Sequence, residues 1–150
     1  MNASPQSCCF RSPAWIAIGL VIVLTLCWPG DTFWINDEPQ LLGNAFEANE
    51  NGTLAEKGPM GTFNVNYSPV ITWFYQLLLK VSKNPIIVAL MKCACMLALL
   101  AGSLRVIARR INYSAMPLLL VFVSPYFYLY NRSLWDNCFL IPLSVAFVAL

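Results

Sequence analysis

The chain has 150 residues, of which 59% are hydrophobic and 11% are charged, and its formal net charge is +2. An ordinary soluble domain has about 45–50% apolar and about 25% charged residues, and a chain of this length could not hide so much apolar surface in one core. The small net charge, without a basic stripe, argues against a nucleic-acid partner. The composition therefore predicts an integral membrane protein.

The first apolar run covers residues 13–29, which is close to the shortest length that spans a bilayer. Arg11 precedes this run, as a basic residue does in a signal peptide. Residues 25–29 offer no small-residue cleavage site, so we expect an uncleaved membrane anchor.

A polar outer loop follows over residues 31–84. Within it, residues 37–47 predict a short helix, because Asp37 could be its N-cap and Pro39 fits the first turn. Residues 49–61 contain three glycines and a proline and therefore predict a loop.

Residues 68–83 predict an amphipathic helix with an apolar face and a polar face. The apolar face carries Val70, Phe74, Leu77, Leu78 and Val81, and the opposite face carries Thr72, Gln76, Lys80 and Lys83. At about 15 residues, this helix suits the bilayer surface better than a crossing.

Three further spans are predicted over residues 86–104, 114–130 and 137–150. We expect Lys92, the one charge within residues 86–104, to snorkel or to pair inside the bundle. Because the sequence is still apolar at Leu150, we interpret the chain as the N-terminal part of a longer membrane domain. The predicted fold is an all-α, polytopic bundle of about four spans with interfacial amphipathic helices in the first outer loop.

The positive-inside rule gives the orientation of this bundle. With the 68–83 helix lying flat, the basic residues Arg11, Arg105, Arg109 and Arg110 fall on the cytoplasmic side. All acidic residues then lie on the outer side: Asp31, Asp37, Glu38, Glu47, Glu50, Glu56 and Asp136. We therefore predict a multi-pass protein of the plasma or inner membrane whose site faces the extracytoplasmic side.

Two charged groups share this outer face. Asp37 and Glu38 follow the first span, and Arg132 and Asp136 lie between the last two predicted spans. If residues 132–136 are helical, Arg132 and Asp136 share one face. Charged residues at a membrane boundary favour a functional role. Two simpler interpretations stay open: Asp37 as a helix N-cap, and Arg132–Asp136 as an interfacial salt bridge.

Several segments resemble GT-C class membrane glycosyltransferases, which include protein O-mannosyltransferases and the transferases that add aminoarabinose to lipid A. Residues 33–38 (FWINDE) resemble the first outer loop of that family. Residues 67–73 resemble its surface helix, residues 105–110 its basic inner turn, and residues 124–136 its Ser-Pro…Ser-Arg…Asp stretch. The family's usual proline pair is reduced to Ser68-Pro69.

The resemblance implies a hexosyl- or pentosyltransferase that moves a sugar from a polyprenyl-phosphate donor to an acceptor protein, lipid or glycan at the outer face. Asp37, with Glu38 beside it, would be the catalytic carboxylate and act as general base on the acceptor. The leaving lipid phosphate needs a nearby cation, for which Arg132 is the preferred candidate. Lys80 and Lys83 are further candidates for substrate binding. The 150 residues by themselves are expected to be inactive.

Asp136 would either orient Arg132 or help Asp37 to bind a divalent metal ion. No other cofactor is implied. The competing hypothesis is a non-catalytic membrane subunit or part of a transporter, in which the charged groups anchor the topology or line a permeation site. Transporters place polar groups near the bilayer midplane, where this chain offers only Lys92, and this favours the enzyme.

Overall fold

The computed structural model describes residues 19–24, 26–27, 37–61, 63–111, 121, 124–134 and 136–150. The α-helices with described bounds are α1 (Asp37–Glu50), α2 (Val70–Val81), α3 (Pro85–Ile111), α4 (Pro125–Arg132) and α5 (Leu140–Ala149). A 3₁₀ helix, Asp136–Phe139, leads directly into α5. No strand occurs among the described residues, so the all-α prediction is confirmed for them.

Helix α1 spans Asp37–Glu50 and so includes the predicted helix 37–47. The residue before Asp37 lies outside the described part of the structure, so the predicted N-cap role of Asp37 stays a prediction. Helix α1 packs against α2, where Leu41 and Ala45 of α1 share a buried cluster with Tyr75 and Leu79 of α2. The residues of α1 that face away from α2, such as Glu47, are exposed. The pair therefore places both ends of the predicted outer loop against the rest of the described bundle.

Helix α2 turns only the first part of its predicted polar face toward the protein, since Lys80 and Lys83 of that face are exposed. Thr72 and Gln76 are buried, and the Gln76 side chain holds the loop after α1, since Nε2 donates to the Thr53 carbonyl at 2.9 Å and Oε1 accepts from the Ala55 amide at 3.0 Å. The apolar residues Val70, Leu77 and Val81 are instead 58%, 63% and 74% exposed. With 12 residues, α2 is about 18 Å long and too short to cross a bilayer.

Helix α3 has 27 residues and is about 40 Å long. Among the described residues, its portion Pro85–Arg110 is the one helix that is long and apolar enough to cross a membrane. This portion contains the predicted span 86–104 and continues through the three arginines that follow it. The helix is thus compatible, by length and composition, with the predicted membrane location.

The other predicted spans are described only in part. Of residues 13–29, the structure describes 19–24, which are helical, and 26–27. Of residues 114–130, it describes position 121 and the stretch from 124 onward. Ser124 is extended (φ −60°, ψ 123°), so the run 114–130 is not one continuous helix. Pro125 explains the break, because its ring disfavours a helical conformation in the residue before it.

The fourth predicted span corresponds to the 3₁₀ helix and α5, which has 10 residues and is about 15 Å long. Helix α5 packs along α3, where Ile141 and Val145 lie against the buried Leu97, Leu100 and Leu104. A second buried cluster joins α1 and α2 to α3 and to the segment before α5. Helices α1 and α2 and the region around residue 134 therefore share one core.

Candidate functional site

Residues 131–134, which we call the held segment, connect the end of α4 to the chain before the 3₁₀ helix. Ser133 is extended (φ −73°, ψ 146°), so helical hydrogen bonding ends here. The last carbonyl groups of a helix have no partner within it, and buried ones must be satisfied by other groups. In this protein, side chains from α2 and α3 donate to carbonyl groups of the held segment. A carboxylate from α1 accepts from a hydroxyl and an amide of the same segment.

Glu38 holds the segment from the first turn of α1. Its carboxylate is fully buried, and Oε1 accepts hydrogen bonds from Ser133 Oγ at 2.6 Å and from the Leu134 amide at 3.2 Å. A buried carboxylate is costly without such donors. Glu38 and Ser133 are 95 residues apart, so this contact links the start of α1 to the segment that follows α4.

Lys92 holds the segment from α3. It is fully buried, and its Nζ donates to the carbonyls of Asn131 and Ser133, the latter at 2.5 Å. The neighbouring Cys93 Sγ also donates to the Asn131 carbonyl, at 2.9 Å. Of the two expectations for Lys92, the structure therefore supports pairing inside the bundle and not snorkelling.

Tyr75 holds the segment from α2. Its hydroxyl donates to the Leu134 carbonyl at 2.8 Å, and its ring meets Phe139 edge-on at 6.1 Å between centroids. Burial is the largest cause that raises the pKa of Tyr75 well above its ordinary value. The hydroxyl therefore stays protonated, and remains a donor, at neutral and moderately alkaline pH. We call Glu38, Tyr75, Lys92 and Cys93 together the clasp.

Replacing Tyr75 with Phe should remove the donor to the Leu134 carbonyl and keep the ring contacts. We expect the free energy of unfolding to fall by about 1–2 kcal/mol, because a buried acceptor loses its partner. The denaturation midpoint of the protein in detergent micelles would measure the change. Tyr126→Phe is the matched control, since Tyr126 is 67% exposed; equal midpoints for the two variants would contradict the role of the Tyr75 hydroxyl.

The clasp brings the backbone that carries one predicted charged group close in space to the backbone that carries the other. Arg132 lies inside the held segment, between Asn131 and Ser133, and Asp37 directly precedes Glu38 at the start of α1. Arg132 is half-buried. The side chains of Asp37 and Asp136 lie outside the described part of the structure, so their geometry toward Arg132 stays a prediction.

The predicted helical pairing of Arg132 with Asp136 is wrong in its premise. Helix α4 ends at Arg132, Ser133 is extended, and Asp136 opens a separate 3₁₀ helix. A continuing helix would need the Leu134 amide to donate to the Tyr130 carbonyl, but that amide donates to Glu38 instead. The tertiary contact with α1 thus ends the helix before residue 136.

The two lysines of the predicted site lie elsewhere. Lys80 and Lys83 are exposed and border a pocket of about 280 Å³ beside the C-terminal end of α1. Lys83 Nζ lies 4.0 Å from Glu50 Oε1 and 5.1 Å from the ring centroid of Phe46. Glu50 and Glu38 are separated by twelve residues of helix, or about 18 Å. The structure therefore does not gather the lysines around Arg132.

Among the side chains that the structure describes, no group of three His, Cys, Asp or Glu residues comes together as a metal site would require. The predicted divalent ion depends on Asp37 and Asp136, whose side chains are not described, so it stays a prediction. Sequence reasoning missed Tyr75, Cys93 and Ser133. The one signal that pointed toward them was Lys92, a lone charge in an apolar run that must find partners.

No protein-family model matches this chain, and comparisons with characterised proteins and with solved structures find no match either.

Proposed function

We propose that this chain forms part of a GT-C-like membrane glycosyltransferase that moves a sugar from a polyprenyl-phosphate donor to an acceptor at the outer membrane face. The observation that supports this most is the hydrogen bond from Ser133 to Glu38, because it joins the start of α1 to the segment that carries Arg132. The base acts on the nucleophile that attacks the anomeric carbon, and the cation acts on the phosphate that leaves the same carbon. They therefore have to lie close together, although they are far apart in sequence.

In the proposed reaction, Asp37 accepts the proton of the acceptor hydroxyl or amine while that nucleophile attacks the anomeric carbon. The bond from the anomeric carbon to the phosphate oxygen breaks, and the polyprenyl phosphate leaves with the electron pair. Arg132 stabilises the charge that develops on the phosphate. Glu38 is engaged with Ser133 and Leu134, so its part is to hold the start of α1 in place.

The proposed setting is a multi-pass bundle of about four spans, with the three arginines after residue 104 on the cytoplasmic side. Helix α2 would lie flat at the outer surface. The outward apolar residues of α2 support this placement. The exposed apolar residues of α5, including Phe147, which is 80% exposed, support contact of α5 with lipid. Soluble proteins rarely leave such stretches uncovered, whereas a bilayer covers them.

The flat placement of α2 can be tested with a fluorescent label at Leu77→Cys, in a background where the other reactive cysteines are serine. Because Leu77 is 63% exposed on the apolar side of α2, we expect phospholipids with brominated chains to quench the label strongly. A label at Glu47→Cys, an exposed position on α1, is the control and should be quenched much less. Equal quenching at the two positions would count against a flat helix.

The proposed activity is tested with the full-length protein that carries this sequence, in purified membranes. We expect transfer of a labelled sugar from a polyprenyl-phosphate-linked donor and none from a nucleotide-linked sugar. Several hexose and pentose donors should be offered, since the residues described do not specify the sugar. Absence of transfer from every lipid-linked donor would contradict the proposal.

A non-catalytic membrane subunit is the second candidate. One observation favours it: Glu38 and Lys92 are both used in internal hydrogen bonds, as structural residues would be. The same bonds weigh against a permeation site in a transporter, because Lys92, the charge within the predicted span 86–104, already has acceptors. Folded protein in the membrane without transfer from any donor would support the subunit.

A further inference from the structure

The carbonyl groups on both sides of Arg132 are held by a single side chain. Lys92 Nζ donates to the Asn131 carbonyl and to the Ser133 carbonyl, and Lys92 itself is fully buried in α3. We propose that Lys92 is a positioning residue for Arg132: it fixes the backbone around Arg132, and so the direction in which the guanidinium reaches toward the donor phosphate. This inference rests on the proposed function for what Arg132 binds.

Burial of a lysine is expensive, so its position in α3 calls for an explanation. A buried amino group must be compensated by acceptors, and a methionine would fill a similar volume in an apolar helix without that cost. The acceptors that Lys92 finds are carbonyls released by the end of α4 at Arg132. The lysine thus stabilises the end of α4 at Arg132, which an apolar side chain could not do because it has no donor.

The backbone is also held on the C-terminal side of Arg132. Glu38 accepts from the Ser133 hydroxyl and the Leu134 amide, while Tyr75 donates to the Leu134 carbonyl. Of these contacts, the bond from Lys92 to Asn131 is on the N-terminal side of Arg132, and Cys93 reinforces it. Without Lys92, the Asn131 carbonyl would keep the Cys93 thiol as its described side-chain donor, and a thiol is a weak donor.

Lys92→Met should therefore lower the turnover number of the full-length protein for sugar transfer about 10- to 100-fold, since small displacements of a group that acts on the reacting centre have effects of that size. The KM for the acceptor should change little, because the acceptor is assigned to the Asp37 side of the site. Ser103→Ala is the control on the same helix: Ser103 Oγ bonds to the Leu99 carbonyl of α3 itself, and transfer should be unchanged.

A double-mutant cycle with Arg132→Lys separates positioning from a general loss of structure. If Lys92 acts through Arg132, Lys92→Met should cost at least about 10-fold in the natural background and less than about 2-fold in the Arg132→Lys background, because coupled residues are not additive. Equal losses in the two backgrounds, or no loss from Lys92→Met, would overturn the proposal. If Lys92→Met does not accumulate in membranes, Lys92→Gln replaces it in the cycle, because the shorter amide cannot reach both the Asn131 and the Ser133 carbonyls.

Hydrogen exchange of backbone amides, measured by mass spectrometry, reports on the held segment without any need for transfer. Exchange over residues 131–139 should be faster in Lys92→Met than in the unaltered protein or in Ser103→Ala. Unchanged exchange would overturn the positioning role even in an active enzyme. If the unaltered protein transfers no sugar, the proposed glycosyltransferase fails, and faster exchange in Lys92→Met would still support the positioning of Arg132 by Lys92.

Discussion

Asp37→Asn is expected to reduce sugar transfer by the full-length protein about 10²–10⁴-fold, because the amide cannot accept the proton of the acceptor. The substitution also separates the two interpretations of this residue. Asn and Asp are about equally good at a helix N-cap, so a residue that only caps α1 would tolerate the change without loss. A measurement of initial transfer rates from a lipid-linked donor gives the answer.

Glu47→Gln is the matched control for this experiment. It makes the same carboxylate-to-amide change on the same helix, at an exposed position near the other end. We expect its transfer rate to equal that of the unaltered protein. Asp37→Asn should also reach the membrane in normal amount, since a charge near a helix start contributes only about 0.3–1 kcal/mol. Normal transfer by Asp37→Asn would show that Asp37 is not the base.

Glu38→Ala is expected to have the largest effect on stability. It leaves the half-buried Ser133 hydroxyl and the buried Leu134 amide without their acceptor, and hydrogen bonds to a carboxylate are stronger than neutral ones. We expect a loss of about 2–4 kcal/mol in the free energy of unfolding. Thermal or denaturant unfolding in detergent micelles would measure it.

Two further variants make this result specific. Glu38→Gln keeps an oxygen acceptor and should lose only about 1 kcal/mol. Glu47→Ala removes an exposed carboxylate of the same helix and should stay within about 0.5 kcal/mol of the unaltered protein. If Glu38→Ala were as stable as Glu47→Ala, the link between α1 and residues 133–134 would have no energetic weight, and the proposed site would lose its support.

Asp37 and Glu38 are adjacent, yet they are expected to respond differently. The loss at Asp37 should fall on the rate of transfer with little change in stability. The loss at Glu38 should fall on stability first, because its carboxylate lies inside the core and binds the protein's own groups. Paired measurements of transfer rate and stability at both positions therefore test whether Asp37 is catalytic and Glu38 structural.

Local sequence patterns were sufficient for most of the helices. Helix α1 includes residues 37–47, where the placement of Pro39 predicted a helix, and α2 follows from its periodicity within 68–83. Helix α3 follows from a long apolar run that ends in arginines. These signals are carried by residues within a few turns of each other, so they can be interpreted without knowledge of the fold.

The break at Ser124 and the end of α4 at Arg132 differ in this respect. The first has a local cause in Pro125, which the prediction of a span over 114–130 did not weigh. The second has no local cause in residues 131–134. At this helix end, Glu38, about 95 residues earlier, accepts a hydrogen bond from the Leu134 amide. Lys92 in α3 donates to the carbonyls on both sides of Arg132.

Composition and periodicity alone thus predict a helical, apolar chain and the approximate positions of α1, α2, α3 and α5, since those properties depend on neighbouring residues. The partners of Glu38, Tyr75 and Lys92 depend on how four separate helices pack, and only the tertiary structure reveals them. The physical reason is the cost of burying polar groups: each must find a partner, but the partner can come from any part of the chain that the core brings near.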